Sequence, residues 1–517
     1  MSLIQAPSHL WRLLRTGATF ERTGAMTEIL DAFAISGWQR FAVRAFAWPF
    51  GVFGRPGDPS LPPVARALQA MGPAYVKFGQ ILSTRRDIVG DDLVAQLRYL
   101  QDRLPPFPVE EARAEIFAEL GPRAWELLDD LSEPVAAASI AQVHSAIWRP
   151  TGEKVAVKIL RPGVRTQFRR DIGAFHFIAG MIERLVPMSR RLRPNAIVSH
   201  FESVVNAELD LRLEAAAASE FRENTADDEK IHIPVVKWDA TSRRILILEW
   251  VSGTAMDPGE LAMAGQDLAG ISRHVLRTFL RHALRDGFFH ADMHQGNLRI
   301  RDDGTLILLD FGIMGRLDPI TRRHYAEILY GFLSRNYRRV AEVHFEAGYI
   351  PPDRDVEEFA QALRAIGEPI FGQDASQISM ARVLAYLLET TERFGMATRT
   401  ELILLQRTMV VVEGVARTLD PQANIFEAAK PVVEDYIRKN LGPASVLENT
   451  RETAEILIRL GPRLPGLARE LLMLAEETRT RRSQFETESP NAGYSIWTVI
   501  LSALLGAGIV FLVLLLP

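Results

Sequence analysis

The spacing of apolar residues changes four times along this chain, and no other feature constrains the fold more. Across residues 64–105, Ala65, Leu68, Met71, Tyr75, Phe78 and Leu82 recur every three or four positions, the period of an amphipathic helix. From 139 to 160 the period falls toward two around Thr151-Gly152, so 139–148 and 154–160 read as the arms of a β-hairpin. Helical spacing returns over 165–185 and 196–224, and strands are expected at 234–238 and 245–251. An amphipathic helix covers 268–286, with Leu268, Ile271, Val275, Phe279 and Ala283 inward, and from 320 to about 480 the pattern is helical throughout. Periods mixed in this order specify an α+β fold, a small sheet interrupted by helices and followed by a helical expansion. Pro and Gly crowd residues 48–63 (WPFGVFGRPGDPSLPP), which mark a linker.

Composition narrows the chemistry. The 517 residues hold 60 Lys+Arg against 64 Asp+Glu, a formal charge of −4, which removes nucleic acid as the default partner. With 47% hydrophobic residues a sizeable core is available, and with no cysteine the chemistry rests on oxygen and nitrogen groups. Residues 495–516 (SIWTVILSALLGAGIVFLVLLL) form an uncharged run of 22. As a helix this run is about 33 Å long, enough for a single pass of a bilayer core roughly 30 Å thick. Arg479, Arg481 and Arg482 precede it, so the positive-inside bias puts the bulk of the chain in the cytoplasm, and the N-terminal stretch has no cleavable signal. Ser502/Gly506 and Ala503/Ala507 have the small-xxx-small spacing that fits a homodimer through this segment.

One constellation carries chemistry. His290-Ala291-Asp292-Met293-His294-Gln295-Gly296-Asn297 follows the amphipathic helix, and Asp310-Phe311-Gly312 ends an apolar run 18 positions after Asp292. Two carboxylates and an amide on one loop face suit phosphoryl transfer: Asn297 and Asp310 as oxygen ligands for Mg²⁺, and Asp292 to position or deprotonate the attacking hydroxyl. Upstream, Val155-Ala156-Val157-Lys158 sets a lysine on a strand where it can hold the α/β-phosphates. His290 and His294 are rejected as metal ligands, because the oxygen donors already define a hard-cation site, and His290 is assigned to bracing the loop.

Taken in order, these motifs resemble a protein-kinase-like fold and, within it, the UbiB/ADCK family of atypical kinases, over residues 72–316. Gly72-Pro73-Ala74-Tyr75-Val76-Lys77-Phe78-Gly79-Gln80, continued by Leu82-Ser83-Thr84-Arg85-Arg86-Asp87, is similar to the family's Lys-x-Gly-Gln motif. Val135-Ala136-Ala137-Ala138-Ser139-Ile140-Ala141-Gln142-Val143-His144 resembles its alanine-rich nucleotide loop, and Glu208-Leu209-Asp210 with Glu214 resembles its Glu-x-Asp helix. Met293 and Gln295 stand where many members have proline. The resemblance implies a bilobal kinase-like fold in which the Lys77 segment lies across the active site. It divides the chain into 1–63 (helical segment and linker), 64–130 (Lys-x-Gly-Gln extension), 131–253 (N-lobe), 254–482 (C-lobe with helical expansion), 483–494 (tether) and 495–516 (membrane helix).

The residues can be read beside this resemblance. Alanines stiffen a loop where glycines would permit positive φ, which favours ADP or water-directed hydrolysis over ordinary kinase turnover. On one helix Asp210 and Glu214 share a face at i, i+4, so Glu214 is matched to Lys158, and Glu208 with Asp210 to Lys77. Glu249-Trp250-Val251 follows a strand at the place of a kinase hinge, where the backbone of Glu249 and Val251 meets adenine. No Ala-Pro-Glu sequence follows Gly312, which disfavours phosphorylation of proteins in trans. The expected activity is Mg²⁺-dependent ATP binding and hydrolysis. The resemblance implies a role in ubiquinone biosynthesis at the bacterial inner membrane, beside the other enzymes of that synthesis and handling polyprenyl aromatic lipids. The alternatives are a lipid kinase, transferring the γ-phosphate to a membrane-associated hydroxyl, and a non-catalytic nucleotide-binding scaffold.

Overall fold

The structure, a computed structural model, describes residues 6–32, 52–83, 86–97, 99–100, 105–185, 193–371, 393–396 and 400–440 and, singly, 37, 41, 386 and 390. Its strands are β1 Leu128–Asp129, β2 Pro134–Ala137, β3 Ala141–Trp148, β4 Glu153–Leu160, β5 Ile231–His232, β6 Ile245–Glu249, β7 Thr254–Ala255, β8 Phe288–His290, β9 Leu298–Ile300, β10 Leu306–Leu308 and β11 Met314–Arg316. The described residues up to Ala215, with Val235–Trp250, pack as one compact unit; Ala216–Pro234 and the described chain from Val251 onward pack as a second.

The first unit is built on an antiparallel sheet in the order β1-β3-β4-β6, with β2 also on β3. The hairpin lies close to its sequence reading, and its register sets Val143 opposite Lys158 and Lys158 opposite Leu246. Because side chains alternate along a strand, Val155, Val157 and Ile159 face one side together. There they are fully buried with Ile245 and Ile247 against Ala112 and Ile116 of the Val109–Leu120 helix. Full burial of each such aliphatic side chain contributes about 1.5–3 kcal/mol. Lys158 leaves by the opposite face. The Pro73–Leu82 helix packs through Tyr75 and Phe78 onto Phe175 and Phe201, with ring centroids 4.9–5.2 Å apart. Its Gly79 admits no side chain, since a Cβ would lie 2.4 Å from Leu100 and 2.7 Å from Leu68.

Two expectations are corrected. Residues 196–224 form two helices, Pro194–Glu208 and Leu211–Asn224. Buried Leu209 carries the apolar pattern across the joint, but Asp210 accepts the Arg212 amide, and the Leu211 amide turns to the carbonyl of Arg243. The strand expected at 234–238 is a lone bridge from Val236 to Leu248 followed by a 3₁₀ turn at Trp238–Ala240. Pro234 has no N–H to give a ladder, and the strand of this region is β5, upstream of it.

In the second unit β5-β10-β9-β7 form one sheet, with β5 parallel to β10, and β11 pairs with β8. The Leu268–Arg281 helix ends in a π turn at His282–Asp286, and Pro319–Leu333, Tyr337–Glu346, Val356–Phe371, Thr400–Leu419 and Ile425–Asn440 supply the helical expansion. Among the described residues no helix is long and apolar enough to cross a membrane. The tether and span expected at 483–494 and 495–516, the arginines before them, the homodimer pairs, Thr84 and Arg85 lie outside the described residues.

Candidate active site

In the first unit Lys158 Nζ donates to both carboxylate oxygens of Glu214, at 2.7 and 2.9 Å. Both side chains are largely buried, 17% and 8% exposed, so removing either would leave a charge stranded in a poorly solvated place. Lys77 meets a different carboxylate, Glu208, at 2.8 Å. Asp210, expected beside Lys77 as well, is instead held by Arg212 and Arg243, and its hydrogen bonds from Arg212 keep its carboxyl below the ordinary aspartate range. The helix joint explains the separation: Glu208 ends one helix and Glu214 opens the next, so Asp210 and Glu214 do not share a helical face. Gln80 donates to the carbonyl of Leu100.

The alanine-rich segment runs from β2 into a short turn. Ala136 is exposed, Ala137 and Ala138 are half-buried, and Ser139 is buried. The Ala138 amide closes the turn on the carbonyl of Ala141 at 2.8 Å. At the end of β6 the Glu249 amide donates to Val235 and the Trp250 amide to Lys154, so both are spent within the sheet. Val251, the other expected hinge residue, begins the second unit.

In the second unit the backbone amides and carbonyls of Ala291 and Asp292 are all paired. The Ala291 amide donates to Ile313, and the Asp292 amide to His290 Nδ1 at 3.1 Å. That donation makes Nδ1 an acceptor, so Nε2 carries the proton and donates to the Leu309 carbonyl at 2.9 Å. The buried ring is thus neutral; burial pushes its pKa down, and both nitrogens are committed, which leaves none for a metal. The Asp292 carbonyl accepts from Asn297 Nδ2 at 3.0 Å, and the Leu309 amide donates to Asn297 O. Asp310 follows in the left-handed region at φ 56°, which Asp tolerates better than most residues, and its carboxylate accepts the Gly312 amide. Phe311 is buried against His290 and Phe221.

Among the described residues no three His, Asp or Glu side chains cluster as a metal site. The donors fit magnesium nonetheless: with its NH₂ taken by Asp292, Asn297 offers Oδ1, and Asp310 adds a carboxylate from an exposed residue. Mg²⁺ at a phosphate site takes one or two protein oxygens and draws the rest of its shell from phosphate and water.

The sequence reading missed Thr408. The hydroxyl of this fully buried residue of the Thr400–Leu419 helix shares its one proton between the Leu404 carbonyl of its own helix at 2.8 Å and the Ala291 carbonyl at 3.1 Å, immediately before Asp292. A threonine inside a helical pattern carries no local sign of such a role.

Residues 99–344 match the ABC1 atypical kinase-like domain and 363–424 the UbiB helical domain. A relative from Marinobacter nauticus is 39% identical over 431 residues, covering 82% of this chain and 78% of its own length. One from Azotobacter vinelandii is 36% identical over 476 residues, covering 91% and 88%. Both are named probable protein kinase UbiB. Among solved structures, the complex of Rv3197 with erythromycin from Mycobacterium tuberculosis is 26% identical, with a TM-score of 0.48 over 68% of this chain and 90% of that one. With its α+β kinase-like architecture, a lysine–glutamate pair on the central sheet and a braced Asp-Asn loop, the chain belongs to the UbiB family of atypical kinases.

Proposed function

We propose that this protein binds ATP and hydrolyses it, and that hydrolysis serves the handling of polyprenyl aromatic lipids in ubiquinone biosynthesis at the bacterial inner membrane. The observation that carries the reading is the Asp292 loop, where His290 and Asn297 fix the backbone on both sides of the catalytic carboxylate. Lys158, paired with Glu214, holds the α/β-phosphates, and the alanine-rich turn covers them. Asn297 and Asp310 would hold magnesium, which when bound neutralises charge on the phosphate oxygens. Asp292 orients the attacking water and accepts its proton, a role that needs a carboxylate fixed to within a fraction of an ångström. Lys77 is tied to Glu208. Residues 495–516 anchor the chain and leave the catalytic units on the cytoplasmic side.

The test is labelled ATP and Mg²⁺ supplied to detergent-purified full-length protein, with and without membrane lipid extract. Free phosphate is expected, rising with lipid, and Asp310→Asn lowers it about a hundredfold, the scale for loss of one transition-state charge stabiliser. Label transferred stably to a lipid would make the protein a lipid kinase instead. Release undiminished in Asp310→Asn would remove the assigned metal ligand.

A further inference from the structure

Four residues that the nucleotide-site reading leaves without a role converge beneath the alanine-rich turn. Arg161 follows β4 directly, and its Nε and Nη2 both donate to the carbonyl of Ala138, at 3.0 and 2.9 Å. Its backbone amide donates to Ile140, so one residue ties the turn by side chain and by main chain. The guanidinium also lies 5.7 Å from the ring centroid of Phe107, within cation–π range. Phe107 is held in turn by Gln142: its amide donates to Oε1 at 3.0 Å, and its carbonyl accepts from Nε2 at 3.1 Å.

The direction of the next bonds follows from donor and acceptor accounting. The Ser132 carbonyl can only accept, so His144 Nδ1 carries the proton toward it at 2.7 Å. His144 Nε2 is therefore an acceptor, and it takes the second hydrogen of Gln142 Nε2 at 2.8 Å. The Gln142 amide is thereby locked in one orientation, with three of its bonds made, and both Gln142 and His144 are buried to within 1%. Buried polar networks whose members are all paired rigidify what they hold. What the Gln142–His144 pair holds is the Phe107 segment and the Ser132 carbonyl, and the Phe107 ring in turn backs the Arg161 guanidinium that grips Ala138.

We infer that Arg161, Gln142 and His144 are positioning residues that keep the alanine-rich turn in a single closed conformation, and so set how tightly the chain takes a nucleoside di- or triphosphate. The inference rests on the reading of 136–139 as nucleotide-covering. A loop that samples open forms binds with an affinity reduced by its closed fraction, whereas one already closed carries no such reduction. Stiffness here comes from a side-chain clamp on a carbonyl in addition to the alanines themselves. Arg161→Lys is consequently not a conservative change, because an ammonium lacks the planar fork that meets one oxygen twice.

The test uses full-length protein in detergent, with Mg-ADP and Mg-ATP as separate calorimetric probes and amide exchange over 136–142 as the second readout. In Arg161→Gln, both nucleotides should bind about tenfold more weakly and the turn amides should exchange about tenfold faster, the loss falling on KM more than on kcat. Arg161→Lys should recover part of each. Gln142→Met should loosen the turn in the same direction; Arg161→Lys keeps the test alive should that buried variant not fold. Wild-type protein that takes up neither nucleotide sinks the site reading and this inference with it. Wild-type binding matched by Arg161→Gln within twofold sinks this inference alone. Weaker binding with unchanged exchange also overturns it, since the guanidinium would then act on nucleotide directly.

Discussion

His144 in the first unit and His290 in the second are both buried, both neutral and both braces for a loop, yet they carry their protons on opposite nitrogens. His290 protonates Nε2 and uses Nδ1 to receive the amide of Asp292, the residue proposed to act on the attacking water. His144 protonates Nδ1 and reaches the Phe107 segment only through the Gln142 amide. The difference teaches where rigidity is spent. Around Asp292 the ring grips the main chain itself, so an error there misplaces the Asp292 carboxylate. Around the alanine turn the grip passes through a second side chain, so an error there loosens a cover.

The sharpest way to break this comparison is His290→Ala, which orphans the Leu309 carbonyl and the Asp292 amide. We expect a loss of about 3 kcal/mol in urea unfolding, on the scale of two unsatisfied buried groups. Phosphate release should fall about a hundredfold, the consequence of a roughly 1 Å misplacement. Release within threefold of wild type would erase the asymmetry between the two histidines.

Acid tests both together. Burial pushes the pKa of each ring down, so above the unfolded value of 6.5 neither state is protonated, and as pH falls below it only the unfolded chain gains protons. Stability present near neutrality is therefore lost as pH falls from 6.5 through the folded values. His344, outside both loops and donating to Val340, calibrates the effect: with its pKa pushed down to about 4, its share of that loss is about 3 kcal/mol at 1.36 kcal/mol per unit. A thermal midpoint that stays flat between pH 7 and 4.5 contradicts the assignment of neutral buried rings.

Smaller effects sharpen the contrast. His144→Ala should cost about 2 kcal/mol and raise KM for nucleotide with kcat less affected, the reverse of the His290 pattern. Thr408→Val, nearly isosteric, should cost about 1 kcal/mol and slow turnover about fivefold, with Thr408→Ser restoring it. Steady-state kinetics separate these, and a KM effect in Thr408→Val would place its role elsewhere.

How far the sequence could be read depends on the span of each contact. Lys158 is legible because period two fixes its face from three neighbours, and the Asp292 loop because Asn297 reaches Asp292 across five positions. The apolar run through Val205, Leu209 and Leu213 hides the helix joint at Asp210, since a buried leucine fits a continuous helix and a bent one equally well. Arg161, Gln142 and Thr408 act on carbonyls or amides 23, 35 and 117 positions away, and only the closed hairpin and the packed helices bring those groups near. Side chains that serve distant main-chain atoms leave no periodic trace.

The bond from Thr408 to Ala291 has a consequence for how this protein can be cut or recombined. Every residue assigned to phosphate or magnesium lies upstream of position 320, so a chain ended before the Thr400–Leu419 helix would keep all of them while lacking the hydroxyl that reaches the Ala291 carbonyl beside Asp292. Grafting that helix from a distant relative is therefore a change to the engine and not to its housing.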